Sequence, residues 1–269
     1  MSTEHVLITG TTSGVGRALL ELYVRHDAKV ISLNRRRDLE LEALYPSVRF
    51  ECLDVRSASE VEGLIQRLGQ ANELPDVFIM NAGINEMDND ESFDLARFRA
   101  VIETNLFGVL NFVAPLMQLP PGRVPRHLVA ISSMANYVGN PYGLGYTTSK
   151  RAVTSCFDAW QRMYAGTDLV FQLVMLGPVR TAIFTMEERL PAWMVWVKSV
   201  FTVSLAGTAR AIRRFAATRR RRLFHPFRAV PLYFAVRLCQ LLVPSFFRGR
   251  KTLAGRARRT EASVRARDA

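Results

Sequence analysis

Cysteine is scarce in this chain. Cys52, Cys156 and Cys239 stand far apart, with no CxxC pair and no Cys/His cluster. That spacing excludes a zinc module or a disulfide framework and suits reduced thiols in a cytoplasmic protein, so no metal site is expected. No apolar leader precedes the first strand-like run, His5–Thr9, and no signal peptide is expected. No period of 20–50 residues recurs, which argues against repeat architectures. The apolar stretch 229–247 is broken by Pro231, Arg237 and Pro244. A bilayer-spanning helix needs about 20 mainly apolar residues, so a true span is not expected there. Acidic residues nearly vanish from the C-terminal part. Residues 205–269 hold 17 Lys+Arg against two Asp+Glu, whereas the preceding 204 residues hold 19 against 22. The formal charge of +12 therefore belongs to an appendage, and the rest is close to neutral.

Hydrophobic residues make up 49% of the chain and charged residues 22%, enough apolar material for a substantial core. Short apolar runs occur at 5–9, 29–33, 48–53, 76–80, 127–132 and 169–175. Their length and polar boundaries fit buried parallel strands. Helix-length stretches separate them. The clearest is 93–117, where Phe98, Val101, Ile102, Asn105, Leu106, Val109, Phe112, Val113 and Leu116 recur at helical spacing. The alternation predicts an α/β fold: one Rossmann-type, doubly wound parallel sheet with a basic, apolar C-terminal helical appendage.

Directly after the first strand comes Thr9-Gly10-Thr11-Thr12-Ser13-Gly14-Val15-Gly16, followed by a helical stretch. Gly10 permits a tight turn, Gly14 lets a pyrophosphate approach the backbone, and Gly16 allows close helix–sheet packing. The helix N-terminus then offers free N–H groups to the anion. The second strand ends in Asn34-Arg35-Arg36-Arg37. An NAD site would place a carboxylate there for the ribose 2′-hydroxyl. Arginine forks suit the 2′-phosphate of NADP instead, with Arg35 the foremost expected contact and Asn34 and Arg36 expected to bind the cofactor beside it. The plainer alternative is a solvated basic turn.

Tyr146-Thr147-Thr148-Ser149-Lys150 opens a helical stretch reaching about Tyr164, and the i, i+4 spacing puts Tyr146 and Lys150 on one face. A free tyrosine is ionised in about one molecule per thousand at neutral pH. A neighbouring ammonium is expected to favour the phenolate and make Tyr146 a usable acid or base. Ser133 ends the fifth strand, and its hydroxyl is expected to hold a substrate oxygen. Its spacing to Tyr146 favours it over Ser132. Tyr137 and Tyr142 are candidates either for the substrate pocket or for packing.

Together these elements closely resemble the short-chain dehydrogenases/reductases over about residues 5–183. The resemblance implies that Thr9–Gly16 is the family's TGxxxGxG cofactor loop, with Thr12, Ser13 and Val15 among its contacts. It implies that Asp54-Val55 meets the adenine ring and that Asn81-Ala82-Gly83 is the family's NAG element bordering the cofactor. Asn105 then matches the catalytic asparagine, which supports a water-linked proton relay through the lysine. Ser133, Tyr146 and Lys150 complete the tetrad, and the lysine also holds the nicotinamide ribose. Asn81 and Asn105 also have a purely structural reading as buried amides. After the sixth strand, Leu176-Gly177-Pro178-Val179-Arg180-Thr181 carries Leu where the family usually has Pro. Val179 and Thr181 are still expected to face the nicotinamide carboxamide.

The expected division is a catalytic NADP-binding domain at 1–206 including a substrate lid at about 182–204, C-terminal helices with a possible seventh strand at 207–250, and a disordered basic tail at 251–269. The lid is unusually apolar, with Trp193 and Trp196. The expected activity is NADP(H)-dependent interconversion of a carbonyl and an alcohol on a small lipophilic substrate. The alternative is a catalytically silent NADP-binding sensor or scaffold. The appendage is expected to meet an anionic membrane surface without spanning it, at the inner face of a membrane, and no nucleic-acid role is expected. By family analogy the chain is expected to form a homodimer or homotetramer.

Overall fold

The computed structural model describes residues 4–85, 93–120, 126–137, 143–180 and 200–242. Seven parallel strands form one sheet: β1 His5–Thr9, β2 Lys29–Asn34, β3 Arg49–Cys52, β4 Val77–Met80, β5 His127–Ser133, β6 Val170–Leu176 and β7 Arg222–His225. Their order is β3-β2-β1-β4-β5-β6-β7, so the strand order reverses between β1 and β4 while every strand stays parallel. Such a switch point opens a crevice beyond the carboxyl ends of the strands. The doubly wound parallel sheet expected from the alternating runs is the one observed.

Strand side chains alternate between two cores. Leu7 faces a cluster built with α3 (Ala58–Gln70), α5 (Gly108–Met117) and α6 (Leu144–Met163). Val6 and Ile8 face the opposite cluster, built with α1 (Gly14–Val24), α2 (Leu39–Leu44) and a further helix, α7 (Leu205–Ala216). All three of these β1 side chains are fully buried. Burying a side chain of this kind contributes about 1.5–3 kcal/mol, so the alternation fixes the register.

The helical stretch expected at 93–117 comprises α4 (Leu95–Ile102), a π-helical turn at Glu103–Phe107, and α5. It is long and apolar enough to cross a membrane. Here it is a core helix, with Val101, Val109, Phe112, Val113 and Leu116 buried. The π turn widens the helix by one residue and re-aims the side chains around Asn105.

The boundary expected at residue 206 falls inside α7. Ile212 and Phe215 of α7 are buried in the α1-side core, and β7 pairs with β6 from Leu173↔Arg222 to Leu176↔His225. The sheet unit therefore runs through residue 225. Beyond it, α8 (Val230–Leu242) returns to the α6 face, with Val230 and Tyr233 packed on the core there. The expected lid at 182–204 lies outside the described residues except for 200–204, and the tail at 251–269 lies outside entirely.

Candidate active site

A cleft of ≈ 820 Å³ opens at the switch point. This size suits a drug-sized or dinucleotide-sized ligand. Gly10, Thr12, Ser13, Gly14 and Val15 line it. Gly10 and Gly14 hold positive φ of 72° and 57°, which glycine adopts without strain. Gly16 does not line the cleft. A Cβ there would stand 2.0 Å from Gly10 O and 2.5 Å from Asn81 Nδ2, so the helix can seat under the loop only because this residue is glycine.

The loop is tied down from both sides. Asn81 Nδ2 donates to Thr9 O (3.1 Å) and Gly10 O (3.0 Å). Thr9 Oγ1 accepts from Asn81 N and Ala82 N. Asn81 thus bridges β1 and β4 where they diverge, and Asn81, Ala82 and Gly83 all line the cleft. At α1, Ser13 makes no side-chain cap bond and the first turn carries no acidic residue. By contrast α2, α3, α4 and α7 are capped by Asp38, Ser57, Asp94 and Ser204. The uncapped N–H groups and the helix dipole suit an anionic pyrophosphate, and the residues present fit a dinucleotide.

At the end of β2, Asn34, Arg35 and Arg36 line the cleft. The Asn34 amide is committed internally: Oδ1 accepts from Thr11 N at 2.8 Å, and Nδ2 donates to Thr11 Oγ1 at 2.9 Å. Asn34 therefore fixes the glycine loop to β2 rather than offering its side chain to a ribose. Arg37, Asp38 and Glu40 line this end as well, with the Arg37 guanidinium paired to Glu42. Asp54 and Val55, expected to meet the adenine ring, line the cleft, and the Arg56 guanidinium hydrogen-bonded to Asp54 holds that carboxyl below its usual range.

Ser133, Tyr146 and Lys150 share the same cleft. Tyr146 is hydrogen-bonded to Ser133, but burial outweighs that bond and pushes the phenol above its ordinary value. Lys150 Nζ donates to Ile131 O at 2.7 Å and lies 5.8 Å from the centre of the Tyr146 ring. Burial lowers this ammonium to about 8. The ammonium expected to favour the phenolate is close by, but burial of the phenol is the larger influence on it. Ser132 Oγ turns away to Lys150 O and Thr154 Oγ1, as the spacing argument for Ser133 requires.

Asn105 is fully buried behind the cleft and does not line it. Oδ1 accepts from Ile84 N at 2.8 Å, and Nδ2 donates to Ile84 O at 2.9 Å and Ser149 Oγ at 3.1 Å. It links the strand holding Asn81-Ala82-Gly83 to the helix holding Tyr146. Val179 lines the cleft, and Thr181 lies outside the described residues. Tyr137 is a packing residue: its ring lies 6.4 Å from Phe224 and 5.5 Å from Phe234, and its hydroxyl accepts from Arg222. Tyr142 is outside the described residues. The three cysteines are free, and no group of potential metal ligands occurs among the described residues.

Sequence reasoning missed Ile84, Thr104, Ile131 and Leu176, which also line the cleft. It also missed Tyr233 of α8. That phenol is pushed up to about 12, mainly by burial and then by the adjacent Tyr146. The strand ends carried a signal for the first group, since residues beyond the carboxyl end of a parallel strand face the crevice. Nothing local marked Tyr233.

The profile of the short chain dehydrogenase family matches residues 4–190, and the chain belongs to this family. The 3-oxoacyl-[acyl-carrier-protein] reductase FabG of Thermotoga maritima is 28% identical over 69% of this chain and 76% of its own. Retinol dehydrogenase 8 of Bos taurus is 31% identical over 65% of this chain and 59% of its own. Among solved structures, a short-chain dehydrogenase from Streptomyces avermitilis superposes with a TM-score of 0.75 at 24% identity, covering 93% of this chain and all of that one. A family member from Burkholderia phymatum in complex with NAD gives 0.73 at 19% identity, covering 89% and 95%. An alcohol dehydrogenase from Thermococcus sibiricus complexed with 5-hydroxy-NADP gives 0.69 at 22% identity, covering 83% and 96%. The chain is thus an oxidoreductase of a family that uses nicotinamide cofactors.

Proposed function

We propose that the enzyme is NADP(H)-dependent and interconverts a carbonyl and an alcohol on a lipophilic substrate. The observation that carries this reading is the neutral, buried Tyr146 phenol, hydrogen-bonded to Ser133 in the same cleft as the glycine loop. In the reductive direction Tyr146 Oη donates its proton to the substrate oxygen, which Ser133 Oγ holds. Lys150, lowered to about 8, gives up a proton more readily than Tyr146 and restores the phenol. Asn105 is a positioning residue acting through Ile84 and Ser149. When bound, the nicotinamide supplies or accepts hydride at the substrate carbon.

Preference for the phosphorylated cofactor rests on the end of β2. It carries no carboxylate, the Asn34 amide is committed to Thr11, and Arg35 and Arg36 border the cleft. Asp38 and Glu40 also line this end, but the Asp38 carboxylate is engaged in capping α2, and Arg35 and Arg36 offer cations to a 2′-phosphate. A lipophilic substrate fits the apolar Ile84 and Leu176 in the lining. Relatives named as oxoacyl and retinol enzymes favour the same class.

Steady-state oxidation of NADPH and NADH with aliphatic oxoacyl thioesters, ketosteroids and retinal tests the reading. Turnover with NADPH on at least one is expected. Tight NADPH binding without turnover across the panel would instead assign a sensor or scaffold.

A further inference from the structure

α8 presents two unlike faces. Every described residue of this helix that is exposed is apolar: Pro231, Phe234, Ala235, Leu238, Cys239, Leu241 and Leu242. At 3.6 residues per turn these positions fall within one half of the helix surface. Val230, Tyr233 and Val236 occupy the other half, where Val230 and Tyr233 meet the core. The outward face of a helix on a globular domain is ordinarily polar. Here Phe234, Leu238, Leu241 and Leu242 are 53%, 56%, 60% and 71% exposed, and Phe227, just upstream, is 74% exposed. Scattered exposed leucines need no explanation, but a continuous stripe marks a contact surface.

The charge around the stripe identifies the occupant. Arg228 and Arg237 flank it, and residues 205–242 contain no Asp or Glu. Residues 243–269, which continue from its end, hold eight Lys+Arg against two Asp+Glu. We propose that the outward face of α8 docks the enzyme on an anionic lipid surface, lying along the interface rather than crossing it. The 13-residue helix is about 20 Å long, short of the roughly 30 Å hydrocarbon core. An uncharged face bordered by arginine is the composition of an interfacial helix. Pairing with a second copy through this face would bring two strongly basic segments together, whereas anionic headgroups neutralise them. The opposite face of α8 packs on the α6-side core, and α6 carries Tyr146. On the carbonyl/alcohol reading above, docking therefore turns the side of the enzyme that carries α6 toward lipid-dissolved substrate.

The test is cosedimentation of the full chain with phosphatidylcholine vesicles, with and without phosphatidylglycerol, at low salt and at 1 M, where screening shortens to about 3 Å. It is compared with the variant L238E/L241E/L242E, which leaves the Phe234–Tyr137 contact intact. Wild type is expected to bind the anionic vesicles about tenfold or more over neutral ones and to keep a salt-resistant fraction, and the variant should lose that fraction. NADPH binding, followed by fluorescence, should match wild type in the variant. Loss of docking is thereby distinguished from loss of fold and leaves the oxidoreductase reading untouched. A fluorophore on Cys239, with Cys52 and Cys156 replaced by Ser, should shift its emission to the blue on anionic vesicles. The proposal is overturned by wild type remaining in the supernatant at low salt, by equal binding of the variant, by an unmoved emission, or by a wild-type dimer that the variant dissolves without any vesicle binding.

Discussion

Around the first five strands, buried polar side chains are bonded within the chain. Asn34 ties Thr11 to β2, Asn81 ties Gly10 to β4, and Asn105 ties Ile84 to Ser149. Beyond β7 the pattern inverts, with apolar side chains left facing outward along α8. The first region builds its geometry from its own amides, so its behaviour is set by contacts inside the chain. The second keeps one face for the core and leaves most of the other uncovered among the described residues. An amide bonded within the chain explains its own identity. An apolar residue facing outward requires a partner, and its effects appear only when that partner is supplied.

The sharpest test of the first region is Tyr146→Phe. Losing the proton donor should lower turnover by about 10²–10⁴-fold. NADPH affinity should hold within about twofold, since the ring still packs and Arg35 is untouched. Lys150→Ala should damage both binding and turnover. Initial rates and cofactor titrations on the variants decide this, and substantial turnover by the Phe variant would remove Tyr146 from the acid role. Next in size is Gly16→Ala. Its Cβ would meet Gly10 O at 2.0 Å, and backbone cannot yield as a side-chain end can. Overpacking of this kind costs about 1–3 kcal/mol. Both urea stability and NADPH affinity should fall, because the same loop serves both.

The strands and the cofactor cleft were legible because their signals are local. A short apolar run bounded by turns can be read in place, and a glycine loop between strand and helix carries its reason in its spacing. Tyr146 and Lys150 likewise lie four residues apart on one helix. Other features depend on contacts distant in sequence. Asn34 looked like a cofactor contact because the residue that consumes its amide, Thr11, sits 23 positions earlier. The i, i+4 spacing reports the lysine near Tyr146 but not the burial of the phenol, which is the larger influence on it. The boundary at 206 followed a change in composition. The basic stretch nevertheless includes α7 and β7, whose inward residues complete the sheet. Tyr233 packs on the α6-side core only because α8 folds back, and no local pattern announces that.

At the cofactor end, Arg35→Ala should remove a charge-assisted contact worth about 1.5–3 kcal/mol, a loss of roughly tenfold or more in NADPH affinity, with NADH little changed. Equal affinity of the wild type for both cofactors would show that the arginines only solvate the turn. A smaller effect concerns acid. His5, His127 and His225 are each held below the ordinary histidine value of 6.5, chiefly by burial. A histidine lowered in the folded state takes up its proton first in the unfolded chain. Its contribution is therefore complete above about 6.5 and is lost as pH falls below that value toward the folded pKa. The urea midpoint should drop between pH 7 and pH 5, and a midpoint flat across that range would contradict the burial of these rings.

The smallest expected change is the one that separates the two faces of α8. Val230→Ala removes two methyl groups that pack on the core and should cost about 1–2 kcal/mol. Leu238→Glu, one position among the outward residues, removes no contact with the core and should stay within about 0.5 kcal/mol in solution. Area arguments alone would not distinguish them, since both are aliphatic residues on the same helix. The distinction is whether the chain itself shields the side chain from water. If Leu238→Glu costs more than about 1 kcal/mol by chemical denaturation without lipid, the outward face is already covered within the protein, and the contrast between the two regions disappears. If the cost is negligible in solution yet anionic vesicles raise the melting temperature of wild type and not of the variant, the missing partner has been supplied, because whatever binds only the folded state stabilises it.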